Sequence, residues 1–144
     1  MNNAYIASGW FNPDQAEDLG LIKGCLKAYG INFFSPKDEC LCPPDAPEED
    51  KIHTFRLNLR AIENADFIVC NTRNKDMGSI FEAGYAYKCK KPIIYFCRGL
   101  QGQFNLMLAK SGIAVATDSH KLAYYVGQLK MNAKFSEPYT EDIQ

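Results

Sequence analysis

The sequence lacks a large net charge of either sign. Its 16 lysine and arginine residues nearly balance its 17 aspartate and glutamate residues, which gives a formal net charge of −1 at pH 7, and the two signs are interspersed along the chain. Nucleic acids and anionic membranes are bound by concentrated positive charge. The composition therefore argues against both kinds of partner and favours a small or neutral one.

Long apolar runs are also missing. No stretch approaches the ~20 apolar residues that span a bilayer. The first residues, MNNAYIASGWFNPDQ, lack the charged and apolar regions of a secretory signal. We therefore expect no membrane segment and a cytoplasmic location. A chain of 144 residues suits one core, so we predict a single domain over residues 1–144, with 132–144 as a C-terminal tail.

Phosphate-binding and metal-binding motifs are absent as well. Neither GxGxxG nor the Walker pattern occurs. Cys40 and Cys42 form a CxC pair, but His53 and His120 lie far from it in sequence and no second cysteine pair has zinc-like spacing. We predict no metal and no cofactor. The six cysteines of a chain this long and regularly patterned are expected to be thiols rather than a disulfide framework.

Apolar runs and helical periodicity alternate along the chain. Strands are predicted at residues 4–7, 31–34, 66–70, 93–97 and 113–116. Helices are predicted from 13 to about 29, from about 48 to 64, and at 77–89, 104–110 and 118–131. The proline-rich stretch 36–49 is predicted to be a loop.

This alternation predicts an α/β fold with a five-stranded parallel sheet. We expect a flavodoxin-like (Rossmann-type) three-layer sandwich with strand order 2-1-3-4-5. Such sheets bind ligands outside the carboxyl ends of the strands, in the crevice between the first and third strands. The loops at 8–12 and 71–76 follow those two strands, so both are expected to meet at one site.

The helix after the third strand carries Glu82 in its early turns. Asp76 is a plausible N-cap for this helix. The small residues Ser79, Ala83 and Ala86 recur at a spacing of three or four, which indicates a close-packed or ligand-facing side. Glu82 is then either a solvent charge that complements the helix dipole or a nucleophile facing the crevice, where the helix dipole would keep it ionised.

The first loop supplies aromatic side chains. Trp10 and Phe11 suit stacking on a planar heterocycle, although Trp10 equally suits covering the start of the next helix. Tyr5, in the preceding strand, either belongs to the core or reaches the crevice, where its hydroxyl could bond to Glu82.

These segments together resemble the nucleoside 2-deoxyribosyltransferase family. The resemblance is carried by AYIASGWFNPDQ, NADFIVC, DMGSIFEAGYA and FNLM, in that order from about residue 4 to 116. Its most specific part is the pattern DxGxxxExGYA, which is met by Asp76, Gly78, Glu82, Gly84, Tyr85 and Ala86.

The resemblance implies a mechanism. Glu82 falls on the family's catalytic glutamate, which attacks the anomeric carbon of a 2′-deoxynucleoside, expels the base and forms a covalent deoxyribosyl-enzyme. A second base resolves this intermediate with net retention. Tyr5 would position the nucleophile, and Asp76 would bond the base or sugar and assist proton transfer to the leaving base. A wall of small residues beside Glu82 is expected to exclude ribose.

The resemblance also implies binding residues. Gly9, Trp10, Phe11 and Gly78 are expected to contact the substrate, which would be a 2′-deoxynucleoside and then a free nucleobase. Asn105 matches a residue that reaches into a neighbouring subunit's site to hold the 5′-hydroxyl. The active protein is therefore expected to be a homo-oligomer, a dimer or a hexamer.

Asn58 departs from the family pattern, because relatives usually have aspartate at this position of FRLNLRAIENAD. Asparagine still donates and accepts hydrogen bonds but cannot act as a carboxylic acid, so base recognition or base protonation is expected to differ here. Two alternatives remain open. One is an N-glycoside hydrolase acting on deoxynucleosides or their 5′-monophosphates, and the other is a non-catalytic nucleotide-binding module.

Overall fold

A computed structural model describes all 144 residues and confirms the predicted fold class. The five strands form one sheet in the order β2-β1-β3-β4-β5, and every neighbouring pair is parallel. The strands are β1 (Asn3–Ala7), β2 (Asn32–Phe34), β3 (Phe67–Asn71), β4 (Ile93–Phe96) and β5 (Ala114–Ala116).

Six α-helices connect and follow the strands. They are α1 (Pro13–Ala28), α2 (Pro36–Glu39), α3 (Glu48–Asn64), α4 (Met77–Lys88), α5 (Leu106–Ser111) and α6 (Ser119–Met131), and a 3₁₀ turn spans Arg73–Lys75. None of the helices is both long enough and apolar enough to cross a bilayer.

Two local predictions were wrong. The proline-rich stretch at 36–49 is not entirely loop, because Pro36 has a φ suited to the first position of a helix and starts α2. The helix predicted at 104–110 begins later, at Leu106. Asn105 is its N-cap, with Oδ1 accepting from the Leu108 N–H at 3.2 Å, while Phe104 pairs with the C-terminal tail instead.

Strand alternation divides the core between the two faces of the sheet. Ala4 and Ile6 of β1 pack with α1 and α6, whereas Tyr5 and Ala7 lie on the other face, in the cluster that includes residues of α3, α4 and α5. Because side chains in a strand point alternately to the two faces, Tyr5 must face the layer that holds α4. This places its hydroxyl on the side of the sheet where Glu82 lies.

The C-terminal tail follows β5 and α6 without forming a further helix or named strand. The Glu137 N–H donates to the Ile113 carbonyl at 2.7 Å. Phe104 forms a parallel bridge with Ile143, and Tyr139 packs edge-on against the Phe104 ring at a centroid distance of 5.7 Å. The tail therefore covers the segment that leads into α5.

Gly112 lies where α5 meets β5, and a side chain there has no room. A Cβ at Gly112 would lie 2.7 Å from Cδ2 of Tyr95 and 3.1 Å from the Ile93 carbonyl. The Tyr95 ring is buried and its hydroxyl shares a 2.6 Å hydrogen bond with Ser111, which restrains it. We expect Gly112→Ala to lower the free energy of unfolding by about 2 kcal/mol.

Gly20→Ala is the matched control, because a Cβ at Gly20, within α1, meets nothing within 4 Å. Since alanine has the higher helix propensity, this variant should gain about 0.5–1 kcal/mol. Urea unfolding of both variants makes the comparison. A Gly112→Ala protein as stable as the parent would contradict the packing described here.

Candidate active site

A cavity of about 410 Å³ opens where the chain leaves β1 and β3. Its walls come from the loop after β1, from α2 and α3, and from the start of α4 together with its N-cap. The lining residues are Ser8, Trp10, Phe11, Pro36, Phe55, Asn58, Leu59, Asp76, Gly78, Phe81 and Glu82. This is the crevice that the strand order predicts.

The two loops meet as predicted. Asn71, at the end of β3, donates from Nδ2 to the Ser8 hydroxyl at 3.2 Å. Asn74 donates from Nδ2 to Oδ1 of Asn12 at 3.1 Å. These bonds join the loop after β1 to the loop after β3, which fixes one edge of the cavity.

The buried carboxylate of Asp18 accepts hydrogen bonds that hold these loops in place. Asp18 of α1 has no exposed surface and accepts hydrogen bonds from Arg98 Nε at 2.7 Å, Arg73 Nη1 at 3.3 Å and Asn71 Nδ2 at 3.4 Å. Two guanidinium groups thus offset the cost of burying one negative charge. Sequence reasoning missed this cluster, because an aspartate inside an amphipathic helix looks like a solvated one.

Gly9 serves the loop rather than the cavity surface, since it is not among the lining residues. A Cβ at Gly9 would lie 2.6 Å from Oε1 of Gln15. That oxygen accepts a hydrogen bond from the Phe11 N–H at 3.0 Å. The missing side chain therefore leaves room for the bond that holds the aromatic loop against α1.

Tyr5 fulfils both alternatives left open by the sequence. Its side chain is completely buried and stacks on Phe34, with ring centroids 5.6 Å apart and planes 11° from parallel. At the same time, its hydroxyl donates a hydrogen bond to Oε2 of Glu82. Burial also raises the pKa of Tyr5, as does the charge of Glu82, so the phenol remains a donor.

Glu82 is less readily ionised than the sequence suggested. Burial raises its pKa from 4.5 to about 7; the hydrogen bond from Tyr5 lowers it, and the charge of Asp76 raises it again. The expectation that the helix dipole keeps Glu82 ionised is therefore wrong, because a dipole contribution of roughly 0.3–1 kcal/mol is smaller than the cost of desolvating a carboxylate. Near neutral pH both forms of Glu82 are populated.

The small residues of α4 face the sheet rather than the cavity. Ser79, Ala83 and Ala86 are buried, and none of them lines the cavity. Their small size lets α4 pack closely against β3, where the Cys70 thiol approaches the Ser79 carbonyl at 3.6 Å. The expected small-residue wall that would exclude ribose at Glu82 is therefore not found.

Asp76 both caps α4 and lines the cavity. Its Oδ2 accepts from the Ser79 N–H at 3.0 Å and from the Ser79 hydroxyl at 2.7 Å, so the predicted N-cap is confirmed. Its Oδ1 has no protein donor. One carboxylate oxygen is thus held rigidly while the other remains available to a ligand.

Asn58 lines the cavity from α3 and is paired with a residue that sequence reasoning overlooked. The Cys40 thiol donates to Oδ1 of Asn58, with Sγ and Oδ1 2.8 Å apart. Burial raises the pKa of this thiol, and the nearby charge of Glu82 raises it further. The sequence showed Cys40 only as half of a CxC pair, and this pattern did not predict that Cys40 lies beside the cavity.

Two pairs of aromatic rings border the cavity. Trp10 and Phe11 have centroids 4.8 Å apart, and Phe55 and Phe81 have centroids 6.0 Å apart. Trp10 also packs against the core cluster that includes α1, as expected of a residue that covers the start of that helix, and its stacking on a base stays a prediction. Phe11 is 71% exposed and Phe55 52%. The periodicity of α3 gave no sign that Phe55 borders a cleft rather than the core.

Acids are the only ionisable side chains that line the cavity. Asp76 and Glu82 face it, and no lysine, arginine or histidine does. No group of three or more histidine, cysteine, aspartate or glutamate side chains converges in a way that could hold a metal. A groove of about 430 Å³ beside β1 and β2 has Arg60 as its one charged lining residue and lacks a nucleophile.

Asn105 lies outside the Glu82 cavity. It is exposed and its side chain caps α5. Within one chain it is therefore separate from the other residues that sequence reasoning assigned to the site.

Comparison with known proteins places the chain in a family. The model of the family described as nucleoside 2-deoxyribosyltransferase matches residues 4–125. The chain belongs to this family. Among solved structures, the 2-deoxyribosyltransferase of Bacillus psychrosaccharolyticus superposes with a TM-score of 0.83 at 25% identity, covering 96% of this chain and 99% of the other.

Two more distant structures share the fold. A conserved protein from Enterococcus faecalis V583 gives a TM-score of 0.70 at 16% identity, covering 89% of this chain and 98% of the other. A CMP N-glycosidase from Clostridium botulinum gives 0.60 at 12% identity, covering 87% and 98%. No curated protein sequence matches significantly. The family and the first neighbour indicate an enzyme of the nucleoside deoxyribosyltransferase type.

The raised pKa of Glu82 predicts a pH-dependent cost in stability. Because its pKa is about 7 in the folded protein against 4.5 normally, the folded state retains a proton that the unfolded chain has lost between those values. Stability therefore falls as pH rises through this window. Glu82→Gln should raise the free energy of unfolding by about 3 kcal/mol at pH 8 and leave it unchanged near pH 4.

Glu63→Gln is the control, since the Tyr85 hydroxyl likewise bonds to Glu63, but on the surface. It should leave stability nearly unchanged at both pH values. Urea unfolding at the two pH values measures the difference, and an equal effect of Glu82→Gln at both would argue that Glu82 has an ordinary pKa.

Proposed function

We propose that this protein transfers the 2-deoxyribosyl group of a 2′-deoxynucleoside to another nucleobase through a covalent ester on Glu82, with net retention. One observation carries the proposal: in a chain of this family, a desolvated Glu82 carboxyl that is hydrogen-bonded by Tyr5 lines a cavity bordered by aromatic rings. A nucleophile and a surface for a planar base are thus adjacent.

The ionised form of Glu82 begins the reaction. The Tyr5 hydroxyl engages Oε2, which leaves Oε1 to attack C1′ of the sugar. As the bond from C1′ to the base breaks, positive charge develops on the sugar, and a carboxylate in a poorly solvated cavity stabilises that charge strongly. Forming the ester bond then consumes the negative charge of Glu82.

The departing base takes the electron pair of the broken bond and needs a proton or a hydrogen-bond donor. Asp76 is the acid for this step, because it lines the cavity and its Oδ1 accepts no hydrogen bond within the chain, while Oδ2 is held by Ser79. We propose that a proton reaches the leaving base through Asp76, and that in the reverse step Asp76 takes up the proton that the incoming base loses.

The second half of the reaction repeats the first in reverse. A new base attacks C1′ from the side that the first base left, and Glu82 departs as a carboxylate. Two inversions at C1′ give net retention. Transfer requires that water be kept from the ester, and a base held against Trp10 and Phe11 or against Phe55 and Phe81 would shield it.

The cavity favours a nucleoside over a nucleotide. No basic side chain lines it, so a 5′-phosphate would meet Asp76 and Glu82 without a compensating cation. We therefore propose neutral 2′-deoxynucleosides as donors. We also propose a cytoplasmic location, in keeping with the six free cysteines.

Hydrolysis of the N-glycosidic bond is the second candidate. It is favoured by the open rim of the cavity, where Phe11 is 71% exposed, since water reaches an intermediate that aromatic side chains do not enclose. The fold shared with a CMP N-glycosidase is compatible with this reaction.

The decisive experiment incubates the protein with deoxyinosine and adenine and follows deoxyadenosine by chromatography. Transfer predicts that deoxyadenosine accumulates, and omission of adenine should allow intact-mass measurement to detect a deoxyribosyl adduct on Glu82. Free deoxyribose released at one rate with and without adenine would select hydrolysis instead.

Glu82→Ala should abolish both deoxyadenosine and the adduct, because the proposed ester forms on this side chain. Glu63→Gln should retain full activity, which shows that the loss is specific. Normal turnover by Glu82→Ala would refute the mechanism.

We further propose that the active protein is a homo-oligomer in which Asn105 completes a neighbour's cavity. Asn105 does not line the cavity of its own chain. It adjoins an apolar surface that includes the 44% exposed Leu106, the 74% exposed Met107 and the 59% exposed Tyr87, with a groove of about 350 Å³ between α4 and α5. A surface of this kind is typical of an interface.

Mixing the Asn105→Ala variant with the inactive Glu82→Ala variant tests the shared site. Asn105→Ala should raise KM for the nucleoside, because the sugar loses a hydrogen-bond partner. Co-refolding it with Glu82→Ala should restore part of the activity, since some mixed sites then carry both intact residues. A mixture no more active than Asn105→Ala alone would place Asn105 outside any shared site.

A further inference from the structure

Cys40 and Asn58 form a hydrogen-bonded pair, and Asn58 lines the cavity. Asn58 lies on α3 one turn after Phe55, and residues three apart share a helix face. The Phe55 ring packs against Phe81 of α4. A planar ring held against this aromatic pair therefore brings its edge to the Asn58 amide.

The thiol of Cys40 fixes the orientation of that amide. Its Sγ lies 2.8 Å from Oδ1 of Asn58. Burial and the neighbouring carboxylate of Glu82 raise the pKa of Cys40, so the sulfur keeps its proton. A protonated thiol is a donor and only a weak acceptor. It therefore favours the amide oxygen over the amide nitrogen as its partner.

The remaining half of the amide has no protein partner. Nδ2 of Asn58 makes no hydrogen bond within the chain, and it is not among the buried unpaired atoms, so it is accessible. Asn58 lines the cavity. Because its Oδ1 accepts from Cys40, Asn58 presents the two N–H donors of Nδ2 to the cavity. A ligand atom that pairs with them must be a hydrogen-bond acceptor.

Nucleobases differ in this respect at one exocyclic position. Uracil and thymine carry a carbonyl oxygen where cytosine carries an amino group, and hypoxanthine and guanine carry a carbonyl where adenine carries an amino group. A carbonyl accepts from the Nδ2 donors. An amino group would face them with further donors and leave both sides unpaired.

We propose that the Cys40–Asn58 pair is a specificity determinant that selects nucleobases with a carbonyl over those with an amino group at the exocyclic position. Cys40 acts as a positioning residue and Asn58 as the contact. This inference rests on the proposed function and names its substrate class: 2′-deoxynucleosides of keto bases.

The test compares nucleosides that differ only in the exocyclic group. The wild-type protein is assayed for kcat/KM with deoxyuridine against deoxycytidine, and with deoxyinosine against deoxyadenosine, using one common acceptor base. We expect kcat/KM to be roughly 10-fold or more higher for deoxyuridine and for deoxyinosine. An amino base would leave its own N–H groups and those of Asn58 without acceptors, and unpaired polar groups of this kind weaken binding by about that factor.

Variants of Cys40 separate positioning from packing. Cys40→Val keeps a side chain of similar size but removes the hydrogen-bond donor, so the Asn58 amide can rotate to present either its oxygen or its nitrogen. The kcat/KM ratios of both nucleoside pairs should then fall toward one, chiefly through changes in KM. Cys40→Ser retains a donor and should restore the preference. Asn58→Asp offers only acceptors when ionised and should invert both ratios.

Cys42→Val is the matched control. Cys42 lies in the same CxC pair, but its thiol approaches only the carbonyl of the adjacent Pro43, at 3.9 Å. Its ratios should equal those of the wild type. A change as large as that caused by Cys40→Val would attribute the effect to the loop as a whole and overturn the proposal.

The outcomes distinguish this inference from the function on which it rests. Turnover of all four nucleosides with ratios near one, or ratios unchanged in Cys40→Val, overturns the specificity proposal and leaves the enzymatic function standing. Absence of turnover with every nucleoside overturns the proposed function. Calorimetric binding of the same two nucleoside pairs then decides the specificity proposal, which equal affinities or no binding would refute.

Discussion

The hydrogen bond from Tyr5 to Glu82 is the interaction on which the site depends. A carboxyl group taken out of water favours its neutral form, and a neutral acid is a poor nucleophile. The tyrosine offsets part of this cost by donating to the ionised form. The result is a pKa near 7 for Glu82, so the group is ionised in a large fraction of molecules at neutral pH yet is weakly solvated when it reacts.

The fold makes this contact possible through the alternation of β1. Tyr5 is immobilised because it is fully buried and stacked on Phe34 of the neighbouring strand. Glu82 is held by α4, whose small residues pack tightly on the sheet. The loops at the cavity edge are fixed by the buried charge cluster around Asp18. The Glu82 carboxyl is thus held by a strand and a helix, whereas the exposed aromatic rings at the cavity edge can adjust their positions to a ligand.

Much of this architecture follows from the sequence. Short continuous apolar runs with helices between them predict the parallel sheet and its order, and the DxGxxxExGYA pattern points to Asp76 and Glu82. The sequence did not reveal whether Glu82 is desolvated, because its burial depends on how α4 packs against the strands of the sheet, which no local pattern specifies. It also did not reveal Cys40, because a hydrogen bond across 18 residues leaves no periodic signal.

The ionisation of Glu82 can be measured directly, and that measurement tests the central claim most closely. Glutamate side chains labelled with ¹³C at the carboxyl carbon are titrated by NMR, and the Glu82 signal is assigned by its loss in Glu82→Gln. A midpoint near pH 7, moving upward in Tyr5→Phe, is the result predicted here. A midpoint at the ordinary value of 4.5, unaffected by Tyr5→Phe, would contradict the account.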